Sequence, residues 1–443
     1  MVKDNPLPNG WKKKRIDDLY HVLGGGTPST KEPDYWNGNI PWISSADIFG
    51  VKDIRPRRRI SLKALENSAA NLVPAGTLIV VTRVSLGKIA ISDYPLCYSQ
   101  DSQGLIAKDN SVLPNFALYF LSQAVKIFQS ISRGTTISGV TKKQLKELDF
   151  PLPPLDEQER IVAKIETLFS QLDSGVASLK RIQAALKRYR ASVLKAAFEG
   201  KLVPQDPADE PAEALLRRLG KVPVEDENLP SLPEGWCWTK LSEIAEHSQK
   251  RVHPQSYPKL PYIGLENIEA HTTRLLGTMP SELMRSTADS FSAGDVLYGR
   301  LRPYLNKVIS PEFEGLCSTE FIVFREGSII FNKYLLYILN SQKFVSFSNG
   351  LNSGDRPRVK FEQLAIFSLP LPPYQEQKRI VYEIEKYLSV IREVEKSINT
   401  TLSRMTHLRQ SILKQAFEGR LVSQNNSITQ VPGEFERNSH EDK

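Results

Sequence analysis

The sequence predicts an α+β chain in which two similar domains alternate with two long helices, the helices pairing as an antiparallel coiled coil about a pseudo-twofold axis. Three observations predict it. Residues 151–203 recur without a gap as residues 370–422, 219 positions apart, with 23 of 53 positions identical. Within both copies apolar residues return at steps of three and four. The segments ahead of each copy are short β-rich runs broken by Gly, Pro and Asn, each followed by one helix. Self-similarity at a fixed spacing decides an architecture before local patterns do, and a period this long marks duplication of half a molecule, not a solenoid unit.

In chain order, residues 1–150 form the first domain and residues 231–369 the second. LPNGWKKKRIDDL at 7–19 parallels LPEGWCWTKLSEI at 232–244, and IPWISSADI at 40–48 parallels LPYIGLENI at 260–268. PAGTLIVVTRVSLGKIAIS at 74–92 parallels SAGDVLYGRLRPYLNKVIS at 292–310, and helices are expected at 114–127 and 332–344. Residues 204–230 read as a Pro- and acid-rich linker with one short helix, and residues 423–443 as a disordered tail.

Residues 151–203 and 370–422 each open on a proline run that excludes helix, then continue almost free of Pro and Gly to Glu-Gly stops at 199–200 and 418–419. The apolar spacing averages close to 3.5, the mark of coiled-coil helices. Ile165, Leu172, Leu179 and Leu186 of the first copy and Ile384, Ile391, Ile398 and Met405 of the second are the expected interface, within a seam that also takes in Ile182, Tyr189 and Leu408. The internal pair is favoured over self-association because its effective concentration is high. From Asp156 to Gly200 a helix would run about 67 Å at ~1.5 Å per residue, roughly 20 base pairs of duplex at ~3.4 Å each. Gly175, opposite Val394 in the other copy, is expected to mark a bend in the first helix.

Composition bounds the class. The 443 residues are 40% hydrophobic and 24% charged, as in soluble globular proteins. The polar start has no signal-peptide pattern, and the longest apolar stretches, such as 77–82, are too short for a bilayer. Three scattered cysteines with no CxxC spacing suggest a reduced, cytoplasmic protein without structural zinc, and the short apolar stretches suggest no membrane partner. Net charge is +8 with pI near 9.1, which favours a polyanionic partner. Residues 1–150 hold 20 Lys+Arg against 13 Asp+Glu, whereas residues 231–369 hold 15 against 14. Two domains on one plan with different charge should touch different sequences or bind with different strength.

No catalytic constellation emerges. The GGGTPSTK run at 24–31 lacks the GK[ST] ending of a phosphate loop, and Pro28 removes an amide donor. Leu371-Pro372-Pro373-Tyr374 resembles the Pro-Pro-Tyr of amino-methyltransferases, but Leu stands where an amine acceptor is needed, so a rigid lead-in to a helix is the better reading. No glycine-rich cofactor loop follows a plausible strand, and the six histidines form neither a metal cluster nor a triad. Catalytic and metal-ligating residues are expected to be absent.

Polar and basic loops carry the positive signal. The hydroxyls of Thr27 and Ser29 suit a phosphate backbone. Arg57, Arg58 and Arg59, behind Arg55, form a cationic patch that suits phosphates or plain solvent about equally. Arg83, Ser85 and Lys88 occupy a loop matched in the second domain by Arg300, Arg302, Tyr304, Asn306 and Lys307. Arg can read guanine bidentately and Asn adenine. Arg133, Thr135 and Thr136 in one loop, and Asn352, Ser353, Arg356 and Arg358 in its counterpart, precede the last strand of each domain and suit close approach to a groove.

Together the paired PLPPxxEQxRIV and LKxAFEGxLV segments, the LPxGW openings at Leu7 and Leu232, and GDVLYGRLRPYLNKV at 294–308 resemble the specificity subunit of type I restriction-modification systems. The resemblance covers nearly the whole chain. It implies that the two domains are target-recognition domains, each reading one half of a bipartite, asymmetric double-stranded DNA target, with helix length setting the unread spacer. It also implies docking of two modification subunits, which are adenine methyltransferases, and of restriction/translocase subunits for cleavage. S-adenosylmethionine, ATP and magnesium would serve those partners, with no cofactor in this chain. The rivals are a self-sufficient DNA methyltransferase, which the missing cofactor loop disfavours, and a coiled-coil scaffold, which two loop-rich basic domains disfavour.

Overall fold

The computed structural model describes residues 6–131, 139–352 and 354–423. They form two compact units, one from residues up to 178 with those from 401 onward, the other from residues 179–400. The tail beyond 423 and the loop containing Arg133, Thr135 and Thr136 lie outside the described residues, as does Ser353.

In the first unit a four-stranded antiparallel sheet runs in the order Tyr20–Gly24, Ser102–Ala107, Leu78–Val81, Ile89–Ile91. A three-stranded sheet has Ile40–Ile43 at its centre, antiparallel to Arg58–Ile60 and parallel to Cys97–Tyr98. The second unit repeats this plan with different strand lengths and two further strands, Arg251–Val252 and Ala288–Phe291, in its second sheet. Its four-stranded sheet is His247–Ser248, Phe321–Phe324, Val296–Gly299, Val308–Ile309, and a five-stranded sheet places Pro261–Ile263 parallel to Gly315–Ser318. Alternation of Val, Ile, Leu and Tyr in the central strands buries both faces of Leu78–Val81 and Val296–Gly299.

A two-stranded ribbon closes each domain. Lys12–Arg15 pairs antiparallel with Asp149–Leu152, and Cys237–Lys240 with Ser368–Leu371. The proline runs therefore sit in two-stranded pairings, where a missing N–H costs little. They deliver the chain straight into the two long helices, Leu155–Phe198 and Tyr374–Phe417, each of 44 residues.

Identical clamps hold these helix starts. Gln158, fully buried, accepts from the Leu113 amide at 2.9 Å and donates to the carbonyls of Ser111 at 2.9 Å and Pro153 at 3.0 Å. Gln377 accepts from the Phe331 amide at 2.7 Å and donates to the carbonyls of Ile329 at 3.2 Å and Pro372 at 3.0 Å. Each glutamine thus uses one amide group to tie the domain helix (Pro114–Ile131 or Asn332–Asn340) to the root of a long helix. In the second unit Glu376 adds a bond from Trp236 Nε1 at 3.0 Å, whereas Trp11, the matching tryptophan of the first LPxGW opening, is buried with its Nε1 unpaired among the described residues. Both helices end on left-handed glycines, Gly200 and Gly419, at φ of 66° and 67°.

The long helices run antiparallel. In the first unit Asp173 pairs with Arg409 at 2.5 Å, and Arg409 also lies over the Phe169 ring at 4.3 Å. In the second unit Gln183 meets Asn399 at 2.9 Å and Tyr189 packs edge-on against Tyr387 at 6.3 Å. Ile165, Ile384, Ile391 and Ile398 are buried, while Leu172, Leu179, Leu186 and Met405 are half-buried. Ile182 and Leu408 depart from the expected seam, each about half exposed (45% and 50%), whereas Tyr189, also half exposed, still meets the other long helix through its edge contact with Tyr387. A two-helix seam is only wide enough for a and d positions, and a 3.6-residue helix drifts off a strict 3.5 repeat.

Gly175 does not interrupt its helix. A Cβ there would come 2.8 Å from Met405 Cε, so the glycine makes room for that side chain and no bend need be invoked. The segment 204–230 is also more than a spacer. Its helix Ala212–Arg218 buries Ala212 and Leu216 in the core of the second unit, and Asp209 pairs with Arg379 at 2.5 Å.

Replacing Gln377 by Leu should leave one amide and two carbonyls unpaired, each costing roughly 1–3 kcal/mol. Urea melting should shift to lower concentration and hydrogen exchange at the Phe331 amide should accelerate. An unaltered Phe331 exchange rate would contradict the clamp.

Candidate nucleic-acid interface

The loops singled out by the sequence sit on a common backbone arrangement in each unit. In the first, the Thr82 amide donates to the Asp101 carbonyl at 2.8 Å and the Val140 amide to the Thr82 carbonyl at 2.9 Å. In the second, the Arg300 amide donates to the Glu320 carbonyl at 2.8 Å and the Val359 amide to the Arg300 carbonyl at 3.0 Å. Thr82 therefore corresponds to Arg300, Asp101 to Glu320, and Gly139 to Arg358. Three segments distant in sequence meet at one place in each domain.

Lys88 and Lys307 hold this arrangement together. Both precede the return strand, since the Val81 amide donates to Lys88 O at 2.9 Å and the Gly299 amide to Lys307 O at 2.8 Å. The Lys88 ammonium donates to the carbonyls of Ser45 at 2.8 Å and Ile48 at 2.9 Å, and that of Lys307 to Leu265 at 2.6 Å. Their charge is committed to the carbonyls of a neighbouring short 3-10 turn, Ser45–Asp47 or Leu265–Asn267.

In the first unit, Gly25 and Gly26 pass so close to the backbone of Ser99 and Ala69 that a Cβ would come within 2.2 and 2.1 Å. That close packing, with Trp42 Nε1 donating to Gly26 O at 2.9 Å, accounts for the glycine run. It leaves Thr27 exposed and donating to the Gln100 side chain, and Ser29 exposed beside the Lys31 amide. Arg57 pairs with buried Asp47 at 2.5 Å. Burial alone would raise the Asp47 carboxyl, but the Ser44 amide, Arg57 and the Ser44 hydroxyl hold it below its usual range. Arg58 lies over the Trp36 ring at 5.1 Å and Arg59 donates to the Asn39 carbonyl at 2.9 Å, so the patch is preorganised. Arg83 and Ser85 are exposed, and Ser85 has φ of 66°.

The second unit brings more of the expected residues together. Leu301 bridges Arg358, and the Arg302 amide donates to the Pro357 carbonyl at 2.8 Å. Asn352 donates to the Arg358 carbonyl, and Arg358 pairs with Glu320 at 2.6 Å. A short turn, Pro303–Leu305, presents exposed Tyr304 between Arg302 and Asn306, both left-handed at φ of 53° and 40°. Such backbone persists where surroundings over-determine it, often at functional sites. Asn306 is buried, with neither side-chain amide atom paired among the described residues; Nε of Arg300 and of Arg302 and Oε2 of Glu320 are likewise enclosed and unpaired. Burial raises the nearby Asp289 carboxyl against the pull of Arg251 and Arg300.

This loop is linked to a long helix. The Arg190 guanidinium donates to the Thr272 carbonyl at 3.3 Å, and the adjacent His271 amide donates to the Asn306 carbonyl at 3.1 Å. Asp101, Glu320 and Arg190 were not singled out by sequence reasoning. Only the matched turns SQD at 99–101 and STE at 318–320 could have pointed to the first two. Arg356 is exposed, with no hydrogen bond or ion pair among the described residues.

With this geometry in place, comparison with known proteins is specific. The family model for the type I restriction modification DNA specificity domain matches twice, over residues 8–188 and 233–404. The chain is 27% identical to the type I restriction enzyme EcoDI specificity subunit of Escherichia coli, over 94% of this chain and 90% of that protein. It is 25% identical to the EcoKI specificity subunit of Escherichia coli strain K12, over the same shares. Its fold matches a chain from a structure of complex assembly and conformational transition of the type I R-M system, with TM-score 0.73, 21% identity and coverage of 94% and 100%. The HsdS subunit from Thermoanaerobacter tengcongensis matches with TM-score 0.54, 20% identity and coverage of 94% and 99%. The chain belongs to the type I restriction-modification DNA specificity family. The two matches fall on the two halves of the chain, each taking in one domain and most of the long helix that follows it.

Alanine at Lys307 should lower the melting temperature, because the Leu265 carbonyl loses its donor, whereas alanine at Arg356 should leave melting unchanged. If Arg356 meets a phosphate, its loss weakens binding to all duplexes alike and shallows the salt slope by about one. The reverse pattern, measured by salt-titrated DNA binding and thermal melting, would exchange their roles.

Proposed function

We propose that this chain is the DNA-reading, non-catalytic subunit of a type I restriction-modification assembly, each domain reading one half of a split, asymmetric duplex target. One observation carries the asymmetry: equivalent backbone positions hold unlike side chains, Thr82 against Arg300, Asp101 against Glu320 and Gly139 against Arg358. Equal scaffolds with unequal donors and acceptors are what two different half-sites require. Polar loops enter the major groove, and cations such as Arg58, Arg83 and Arg356 meet flanking phosphates.

Two modification subunits dock on this chain and methylate adenine with S-adenosylmethionine; restriction/translocase subunits use ATP and magnesium for cleavage. The paired helices set the number of unread base pairs between the halves. The assembly works in the cytoplasm.

Co-expression with the candidate modification subunits, followed by genome-wide mapping of modified adenines, should reveal a split motif with one modified adenine in each half. A continuous motif, or no modification dependent on this chain, would refute the reading.

A further inference from the structure

Glu320 brings a carboxylate to the meeting point of the three loop segments in the second domain. Its Oε1 accepts from Arg358 at 2.6 Å, and that pair is partly open to solvent, with 52% of the Arg358 and 27% of the Glu320 side chain exposed. Glu320 Oε2 is enclosed. A carboxylate oxygen has two acceptor positions, so Arg358 leaves one on Oε1.

The pair is not part of the shared scaffold. At the equivalent place the first domain keeps an acid, Asp101, but has Gly139 where the second has Arg358; the nearest arginine, Arg83, meets Asp101 through its backbone amide at 3.2 Å, and no Asp101–arginine ion pair stands among the described residues. Exposed ion pairs contribute little to stability, so folding gives little reason for it. What it offers is a donor fork beside an anionic acceptor, on a backbone fixed by four hydrogen bonds: Arg300 N to Glu320 O, Val359 N to Arg300 O, Arg302 N to Pro357 O and Asn352 Nδ2 to Arg358 O. In the major groove a G·C pair sets two adjacent acceptors, guanine N7 and O6, beside the cytosine N4 donor, whereas A·T separates its acceptors N7 and O4 by the N6 donor, so a donor fork next to an acceptor matches G·C.

We propose that Glu320 is a specificity-determining residue of the second domain, accepting from cytosine N4 while Arg358 donates to the paired guanine. This deepens the proposed function and rests on it. The half-site read by the second domain therefore contains a G·C pair specified jointly by these two side chains, and the other half-site does not depend on them.

The test uses the full chain with its modification subunits, selecting from duplexes randomised in both half-sites. The wild type should specify a G·C pair in one half. Glu320→Ala and Arg358→Ala should each relax that pair by about tenfold, and the double variant should flatten it further, with the opposite half unchanged. A uniform loss across all sequences, or an unchanged profile, overturns the proposal. So does an Arg358→Ala profile already flat at that pair with Glu320→Ala adding nothing, because Glu320 would then act only by positioning Arg358. Absence of any split motif with the wild type would instead defeat the proposed function itself.

Discussion

Everything else in each unit hangs from one buried amide. Gln158 and Gln377 each reach three backbone groups, and in doing so fix the domain helix, the last proline-rich strand and the first turn of a long helix to one another. Burying a polar side chain is favourable only when its bonds are complete. Here they are complete twice over, in two copies 219 residues apart. The long helices can transmit position only if their roots are rigid, and this clamp makes them so.

Above that root the scaffold is conserved between the units while its decoration is not. Lys88 and Lys307 make the same anchor, and Thr82–Asp101 repeats as Arg300–Glu320 in backbone bonding though not in chemistry. A fold that separates scaffold bonds from side-chain donors lets recognition change without repacking a core. The second unit also connects its loop to the first long helix through Arg190, Thr272, His271 and Asn306. Two hydrogen bonds thus span from the helix to the left-handed turn.

Much of this was legible in the sequence. The proline runs and Glu-Gly stops marked both helices to within a residue or so of Leu155–Phe198 and Tyr374–Phe417. Those signals are local, and local chemistry can be read locally. The seam is legible in outline, but spacing alone also places Ile182 and Leu408 in it, and spacing does not reveal drift around a helix. Lysine at 88 or 307 looks the same whether its ammonium meets a phosphate or a carbonyl, because the deciding atoms belong to residues some forty positions away. Glu320 was illegible for the same reason: its partner Arg358 is 38 positions on. Asp209, Ala212 and Leu216 looked like spacer until the surface that receives them was in view.

If two equivalent scaffolds read two unlike half-sites, a chain carrying the same domain twice should read a symmetric motif. Residues 231–369 placed in position of residues 1–150, on the unaltered helices and with the modification subunits present, should specify an inverted repeat of the second domain's half-site. Persistence of the original asymmetric motif would contradict the account.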